Sequence, residues 1–272
     1  KPHRCILKGG GMKGLRLLRL EFERVTRSGR MQWMIMLIAI LGLLSSIGDI
    51  AKDVRLGVDY SVIWYFDRAF TLNSWFLPVW YSLGAYTAVS YFCQEWRTGY
   101  WKPLELRTGK AVYLYGKSIN CFLLGFCTVF GGLLLYLLIL IGLGAIIGYP
   151  IYDPISDREN IQPILYLMLR IVTFAASAGF WSMAGLLMAA IQNDNFIAVT
   201  MPLALNMTVD YVLRRLTGGG FSTMKFVNLS AIPENYILSA VYGTVVFILL
   251  GAVCGWIVTE FLRKRVENEW YS

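Results

Sequence analysis

The sequence predicts an all-α, polytopic membrane protein of about six transmembrane helices, preceded by an N-terminal amphipathic interfacial helix. Three observations predict it. Of the 272 residues, 57% are hydrophobic and only 15% charged, where a soluble chain carries roughly a quarter charged residues. The remaining charge gathers in short stretches between long apolar runs. A hydrocarbon interior offers the backbone no hydrogen-bond partner, so runs of that length must satisfy their amides internally, as helices.

Residues 1–30 form a basic cytoplasmic leader with an elbow-like amphipathic helix. Within 12–30, Leu15, Leu18, Phe22 and Val25 recur at helical spacing, while Arg16, Arg19, Glu23, Arg27 and Arg30 fall mostly on other faces. Such a helix lies in the interface plane, apolar side down, and its arginines suit an anionic leaflet. The alternative is a solvated helix that merely precedes a span. Met12 is a candidate natural start, and no cleavable signal peptide is expected.

Residues 31–272 read as a single transmembrane domain. Its apolar runs cover 31–49, 74–93, 118–149, 163–191, 195–213 and 236–262, each about long enough to cross a hydrocarbon core of ~30 Å. The third exceeds a straight crossing and is expected to tilt, to kink near Gly131-Gly132, or to project beyond the bilayer. Only Gln192-Asn193-Asp194-Asn195 separates the fourth from the fifth, which predicts an antiparallel helical hairpin.

Lysine and arginine give the orientation. The leader is rich in them, as are the connection 94–117 (Arg97, Lys102, Arg107, Lys110, Lys117) and the tail (Arg263, Lys264, Arg265). With six spans these lie on one side, so both termini are expected in the cytoplasm. The opposite connections carry fewer: Lys52, Arg55 and Arg68, then Arg158, then Arg214, Arg215 and Lys225. The outer segments 50–73 and 214–235 hold Tyr60, Trp64, Tyr65, Phe66 and Phe70, then Gly218-Gly219-Gly220, Phe221, Phe226 and Pro233. They are expected to rest at the outer interface. The pairs Gly144/Gly148, Gly251/Gly255 and Ala175/Gly179 permit close helix contact, most simply within one subunit.

Several function classes fall away. The net charge of +8 flanks apolar spans, so its partners are membrane lipids and not nucleic acid. His3 is the single histidine, and Cys5, Cys93, Cys121, Cys127 and Cys254 lack metal-ligand spacing, so no metal site is expected. None of these cysteines falls in an outer segment, so no disulfide is expected. Gly9 to Gly14 fits G-x-G-x-x-G but follows no strand, and no Walker-type P-loop occurs. Any ATP-driven work therefore needs a separate subunit. Within the spans, Asp210 and Arg214 share a helix face, as an ion pair or as a transport group. Arg170 either snorkels outward or meets an acid from another helix, and Glu260, beside Arg263 and Lys264, reads as an anchor.

The connection from Gln94 to Lys110 is longer than a turn requires, mixes charge with Trp96, Tyr100 and Trp101, and ends as Lys117 opens the next span. It suits a docking site for a soluble partner; the plainer alternative is a membrane-surface helix.

This stretch resembles the cytoplasmic loop of permease subunits in the type-two ABC transporter family, mostly exporters. There a glutamate ends the second span, a glycine and leucines follow, and a lysine opens the third. Glu95, Gly99, Leu104 with Leu106, Lys110 and Lys117 stand at similar spacing. Tyr100 replaces the usual threonine, and Arg107-Thr108-Gly109 replaces a proline-containing turn. The resemblance implies a coupling helix with Glu95, Arg97, Gly99, Trp101, Lys102, Leu104, Arg107 and Lys110 shaping it or docking it on a soluble ABC ATPase subunit. ATP and magnesium would be held by that ATPase, with no cofactor in this chain, which would itself be no enzyme. A second permease chain, identical or related, would complete the pore.

The resemblance further implies that the second and fifth spans line the cargo path, with Tyr81, Tyr86, Tyr91, Asn206, Thr208 and Asp210 as candidates. The cargo would be amphipathic (a peptide, a lipid-like molecule or a drug) and the location a bacterial cell membrane. Short members of the family often serve bacteriocin or lantibiotic self-protection. The rivals are an ion-coupled transporter, which needs acids deep in several spans, a membrane-embedded enzyme, and a non-catalytic scaffold.

Overall fold

A computed structural model describes residues 7–57, 60–71, 76–151, 163–192, 194–218, 222–230 and 235–271. His3, Cys5, Arg158, Asn193, Gly219, Gly220, Phe221 and Pro233 lie outside the described residues. Among the described residues the chain forms helices and no strand: α1 (Leu7–Arg27), α2 (Arg30–Leu56), α3 (Val62–Thr71), α4 (Phe76–Thr98), α5 (Trp101–Thr108), α6 (Lys110–Ile147), α7 (Pro163–Gln192), α8 (Asn195–Leu216), α9 (Thr223–Val227) and α10 (Tyr236–Tyr271).

Five of these, α2, α6, α7, α8 and α10, are long and apolar enough to cross a membrane, as in a multi-pass membrane protein. The sequence led to an expectation of six. The missing one, α4, forms a helix of 23 residues, but Trp80, Tyr81, Ser82, Tyr86, Thr87, Ser90 and Tyr91 dilute its apolar content. It packs against α6, α7 and α8, so Trp80, Tyr81 and Thr87 meet protein and are buried.

The outer helices show the reverse pattern. Trp33, Ile40, Leu44 and Ile47 on α2 are exposed, as are Val245, Leu249 and Val253 on α10. A soluble monomer rarely exposes apolar surface on this scale; a bilayer covers it. α7 is the central post. Its most apolar 18-residue window is 78% buried, against 28% in α10, and α4, α6, α8 and α10 all pack on it. Small side chains from Ala175 to Gly179 let them approach. Phe122 of α6 is clasped by Gly179 and Gly251, where an added Cβ would stand 3.0 and 2.9 Å from its ring. Both small-residue pairs thus serve packing within the chain. α6 runs unbroken through Gly131-Gly132 for 38 residues, about 57 Å at helical rise. Gly132 instead receives Ile38 of α2.

The hairpin between α7 and α8 forms as expected. Asp194 caps α8, its carboxylate accepting from the amides of Phe196 (2.8 Å) and Ile197 (3.3 Å).

The outer aromatics depart from expectation. Residues 62–71 form a short helix whose Phe66, Ala69 and Phe70 point inward. Phe66 stacks on Tyr136, and Phe70 meets Trp80 and Phe174 edge-on. Tyr65 is buried too, stacked on Tyr149. These rings fill one end of the core rather than lying on an interface, because helical spacing collects them on one face. Phe226 is likewise buried, against Tyr242 and Phe247.

Candidate functional site

The corner where α4 passes through α5 into α6 holds most of the residues singled out from the sequence. α4 stops at Thr98 because Gly99 takes φ +70°, a left-handed conformation that glycine adopts without strain. The chain reverses, and Trp101 opens α5 with its ring stacked on Trp96, centroids 4.8 Å apart and planes 7° from parallel. Gly109, at φ +88°, ends α5 by donating its amide to the Glu105 carbonyl at 2.8 Å. Its own carbonyl accepts from the Tyr113 amide, which starts α6. Two glycines thus fold a short helix back between two long ones.

Trp101 is 0% exposed. It was expected to shape or dock this helix; a side chain with no surface can only shape it. Glu105 is buried as well, while Leu104 is partly buried. Tyr100, Pro103, Leu106 and Arg107 lie outward, Leu106 at 74% exposure. The free face of α5 therefore centres on Leu106, which is absent from the set of docking residues read from the sequence. Lys102 lies over the Trp101 ring, 5.7 Å from its centroid. Lys110 pairs with Glu267 of α10 at 2.7 Å. Arg97 is exposed and sits on a cavity wall described below.

Beneath the corner lies a buried charged hub. Lys117 of α6 reaches Glu21 of α1 at 2.5 Å and also Glu95 of α4. Arg24 bonds the second Glu95 oxygen at 2.7 Å, and the Asn120 amide donates to Glu21 at 2.8 Å. Glu21, Glu95, Lys117 and Asn120 are all under 9% exposed. The formal charges of Glu21 and Glu95 balance those of Lys117 and Arg24, as buried ions require. Arg24 leans out toward water over the rings of Tyr91 (5.7 Å) and Tyr100 (5.3 Å), and so touches both the hub and the first residues of the corner. Beside the hub is a void of about 20 Å³, roughly one water molecule's space by the usual measure.

α1 is thus tied into the bundle by charge. Leu17, Glu21 and Val25 form its buried line; of the Leu15, Leu18, Phe22 and Val25 face read from the sequence, Val25 is buried and Leu18 and Phe22 are half-buried. Glu21 and Arg24 are one turn apart on α1, as are Lys117 and Asn120 on α6, so each helix offers a matched pair on one face.

The path candidates do not converge. Tyr81 is buried against Phe174 and accepts from Ser177 at 3.0 Å. Tyr86 lines a cavity of about 340 Å³ with Arg30, Ser90, Gln94, Arg97 and Asn195. Tyr91 stacks beneath Arg24 and Arg30. Five-residue steps turn a helix by far more than one face, which scatters the three. On α8, Asn206 is buried, and Thr208 is exposed with its hydroxyl returned to the Ala204 carbonyl.

Asp210 is engaged in architecture. One oxygen accepts from the Ser222 hydroxyl and from the amide and hydroxyl of Thr223, the first residue of α9; the other meets Arg214 at 2.7 Å. Arg170 meets an acid from another helix, the second of its two expected arrangements. It is 2% exposed, pairs with Asp67 of α3, and donates to Asn228 at 2.9 Å. On the same short helix α3, burial first, then contacts with Tyr149 and Asp53, push the Tyr65 hydroxyl well above its ordinary range.

Among the described residues no group of three or more His, Cys, Asp or Glu is placed to hold a metal ion. No family model matches the chain, and neither a curated protein nor a solved structure matches it.

Proposed function

We propose that this chain is the membrane-spanning permease subunit of an ATP-driven ABC exporter, working with separate ATPase subunits and a second permease chain. α4 counts as a sixth span, sheltered by α6, α7 and α8. Both termini then lie in the cytoplasm of a cell membrane, with α1 as the interfacial elbow. The observation that carries the reading is the α4–α5–α6 corner: a short helix, closed by glycine at both ends, offers Tyr100, Leu106 and Arg107 outward while Trp101 and Glu95 root it in the bundle. A force applied to α5 passes through the hub to α1, α4 and α6 together. The cargo is an amphipathic molecule.

The ion-coupled alternative draws no support from Asp210, whose carboxylate is occupied by α9 and Arg214. The scaffold alternative gives no use for an exposed leucine on a rigid cytoplasmic corner.

The test is co-purification from native membranes in mild detergent. A P-loop ATPase should accompany the wild-type chain. Leu106→Ala with Tyr100→Ala should release it while leaving expression intact, because apolar anchors carry much of such interfaces. Trp101→Ala should instead lower stability. A P-loop ATPase retained in full by the Tyr100/Leu106 variant, but lost from Lys102→Ala with Arg107→Ala, would mean that charge alone holds this corner. Transport by the purified chain under an ion gradient with no ATPase present would defeat the proposal.

A further inference from the structure

The cavity of about 340 Å³ that Tyr86 lines opens where α2 and α8 begin and α4 ends. Arg30 is the first residue of α2 and Asn195 the first of α8; both stand on its wall, with Gln94 and Arg97 from the end of α4. Its lining holds two arginines and no acid.

Much of the polar capacity of this wall is not taken up inside the chain. Among the described residues no carboxylate pairs with Arg30, whose guanidinium rests over the Tyr91 ring at 4.7 Å. The Tyr86 hydroxyl and the Gln94 side-chain amide make no hydrogen bond to a described residue. Gln94 and Arg97 are exposed, Arg30 and Tyr86 half-buried, so water or a ligand reaches them. The acids closest in sequence are committed elsewhere: Glu95 to Arg24 and Lys117, and Asp194 to capping α8. The last carbonyls of α4 are occupied too, those of Gln94 and Glu95 by the Thr98 hydroxyl and that of Trp96 by the Gly99 amide. The charge that lines the cavity is therefore positive. Two exposed aromatics flank it in sequence: Trp33, one turn into α2 from Arg30, and Phe196, next to Asn195 on α8. They put apolar surface at the level of the cations, which is the arrangement an amphiphile meets at a headgroup layer.

We propose that this cavity binds the phosphate headgroup of an anionic membrane lipid. Arg30 and Arg97 meet the phosphate oxygens with planar, multiple donors suited to that geometry. The Gln94 amide and the Tyr86 hydroxyl donate to the oxygens that remain, and the acyl chains leave past Trp33 and Phe196. Basic pockets between membrane helices are a physical match for such headgroups. A soluble phosphate, or an acidic segment of a protein partner, would use the arginines but leave both aromatics uncovered. This inference rests on the membrane reading of the chain, with α4 as a span, and not on coupling to an ATPase. A reversed orientation would move the site to the opposite leaflet and leave it intact.

The probes are phosphatidylglycerol, zwitterionic phosphatidylcholine and inorganic phosphate, each added to the lipid-depleted full chain in mild detergent. Native mass spectrometry should show phosphatidylglycerol retained over phosphatidylcholine. Arg30→Gln and Arg97→Gln should each weaken that retention about tenfold, the share of one charge-assisted hydrogen bond. Arg27→Gln, three residues from Arg30 but outside the cavity lining, should not. Gln94→Trp, at an exposed position on the wall, keeps both arginines but fills the cavity, and should abolish the preference. Equal retention of the two lipids by the wild-type chain, or an Arg27→Gln effect as large as that of Arg30→Gln, would overturn the proposal. So would inorganic phosphate raising the melting temperature as much as phosphatidylglycerol does, with that rise lost in the Arg30/Arg97 double variant; the cavity would then serve a soluble anion. Phosphatidylglycerol retention unchanged in the double variant, while a P-loop ATPase is lost from it, would give the cavity to a protein partner instead.

Discussion

Lys117→Met removes the one cation that bridges two buried carboxylates. Glu21 then keeps only the Asn120 amide, and Glu95 keeps only Arg24, whose side chain is 45% exposed. Removing one partner of a buried ion pair costs about 3–5 kcal/mol. Two pairs are broken here, but they share a cation, so their losses do not add. The expected destabilisation is about 4 kcal/mol. A second change tests the cause. Adding Glu21→Gln to Lys117→Met leaves Glu95 with Arg24, charge for charge, and should restore about half of the loss, since neutralised hubs tolerate burial far better than orphaned ions. Equilibrium unfolding in mixed micelles, followed by tryptophan fluorescence, reads both variants; Trp96 directly follows Glu95 and stacks on Trp101. A Lys117→Met protein within about 1 kcal/mol of wild type would mean that water reaches the hub and that the three helices are not tied there.

Gly99→Ala forces an L-residue to φ +70° and should cost about 1–2 kcal/mol in the same assay. Asp210→Asn gives up the charge that α9 and Arg214 share; a loss of about 1.5–3 kcal/mol per charged hydrogen bond should appear as faster proteolysis between 217 and 230. Arg170→Met leaves Asp67 without its buried cation and should lower stability by about 2–3 kcal/mol, discounted for the part-exposed acid; an unchanged melting temperature would show the pair to be ornamental. Cysteines placed at Leu56 and Lys225, both exposed, should react with an impermeant maleimide from outside intact cells, and cysteines at Leu20 and Arg263 should not. Labelling at position 20 would reverse the orientation and remove α5 from the cytoplasm.

The long helices were legible because membrane-scale apolar runs leave few alternatives. The α7–α8 hairpin was legible because only a few polar residues separate its arms. The hub was half legible. Glu95 and Lys117 stood out by their spacing, but Glu21 looked like one more charge on a basic leader. Its signal was present: Leu17, Glu21 and Val25 fall at four-residue steps, so an acid occupies the middle of an apolar line. Such a residue is either misplaced or matched, and Lys117 in an otherwise apolar run was its complement. Trp101 and Leu106 could not be ranked from sequence, since both are apolar residues on a short helix. Which one faces in depends on the turn at Gly99, and a turn of one residue moves a side chain by about 100°. The inward course of α3 was equally hidden, because an amphipathic decapeptide fits an interface and a core end alike.

Both ends of the bundle are closed by the same physical device, and it explains where charge is tolerated. At one end Lys117 stands on α6 and draws in Glu21 and Glu95; at the other Arg170 stands on α7 and draws in Asp67 with Asn228. In each case a buried cation sits near the end of a long helix, and its acid comes from a separate element. The apolar core cannot fix those elements alone: α1 carries Arg16, Arg19, Arg24 and Arg27, α3 is only ten residues long, and α9 is shorter still. Hydrophobic burial is nearly indifferent to register, whereas an ion pair in low dielectric is satisfied in one arrangement only. Charge therefore specifies the position of the short elements that packing leaves loose. The same logic gives the hub a mechanical meaning. Lys117 holds α1 and α4 to α6 through bonds that tolerate little sliding, so α5, rooted between α4 and α6, cannot tilt without either moving all three helices or breaking a buried pair.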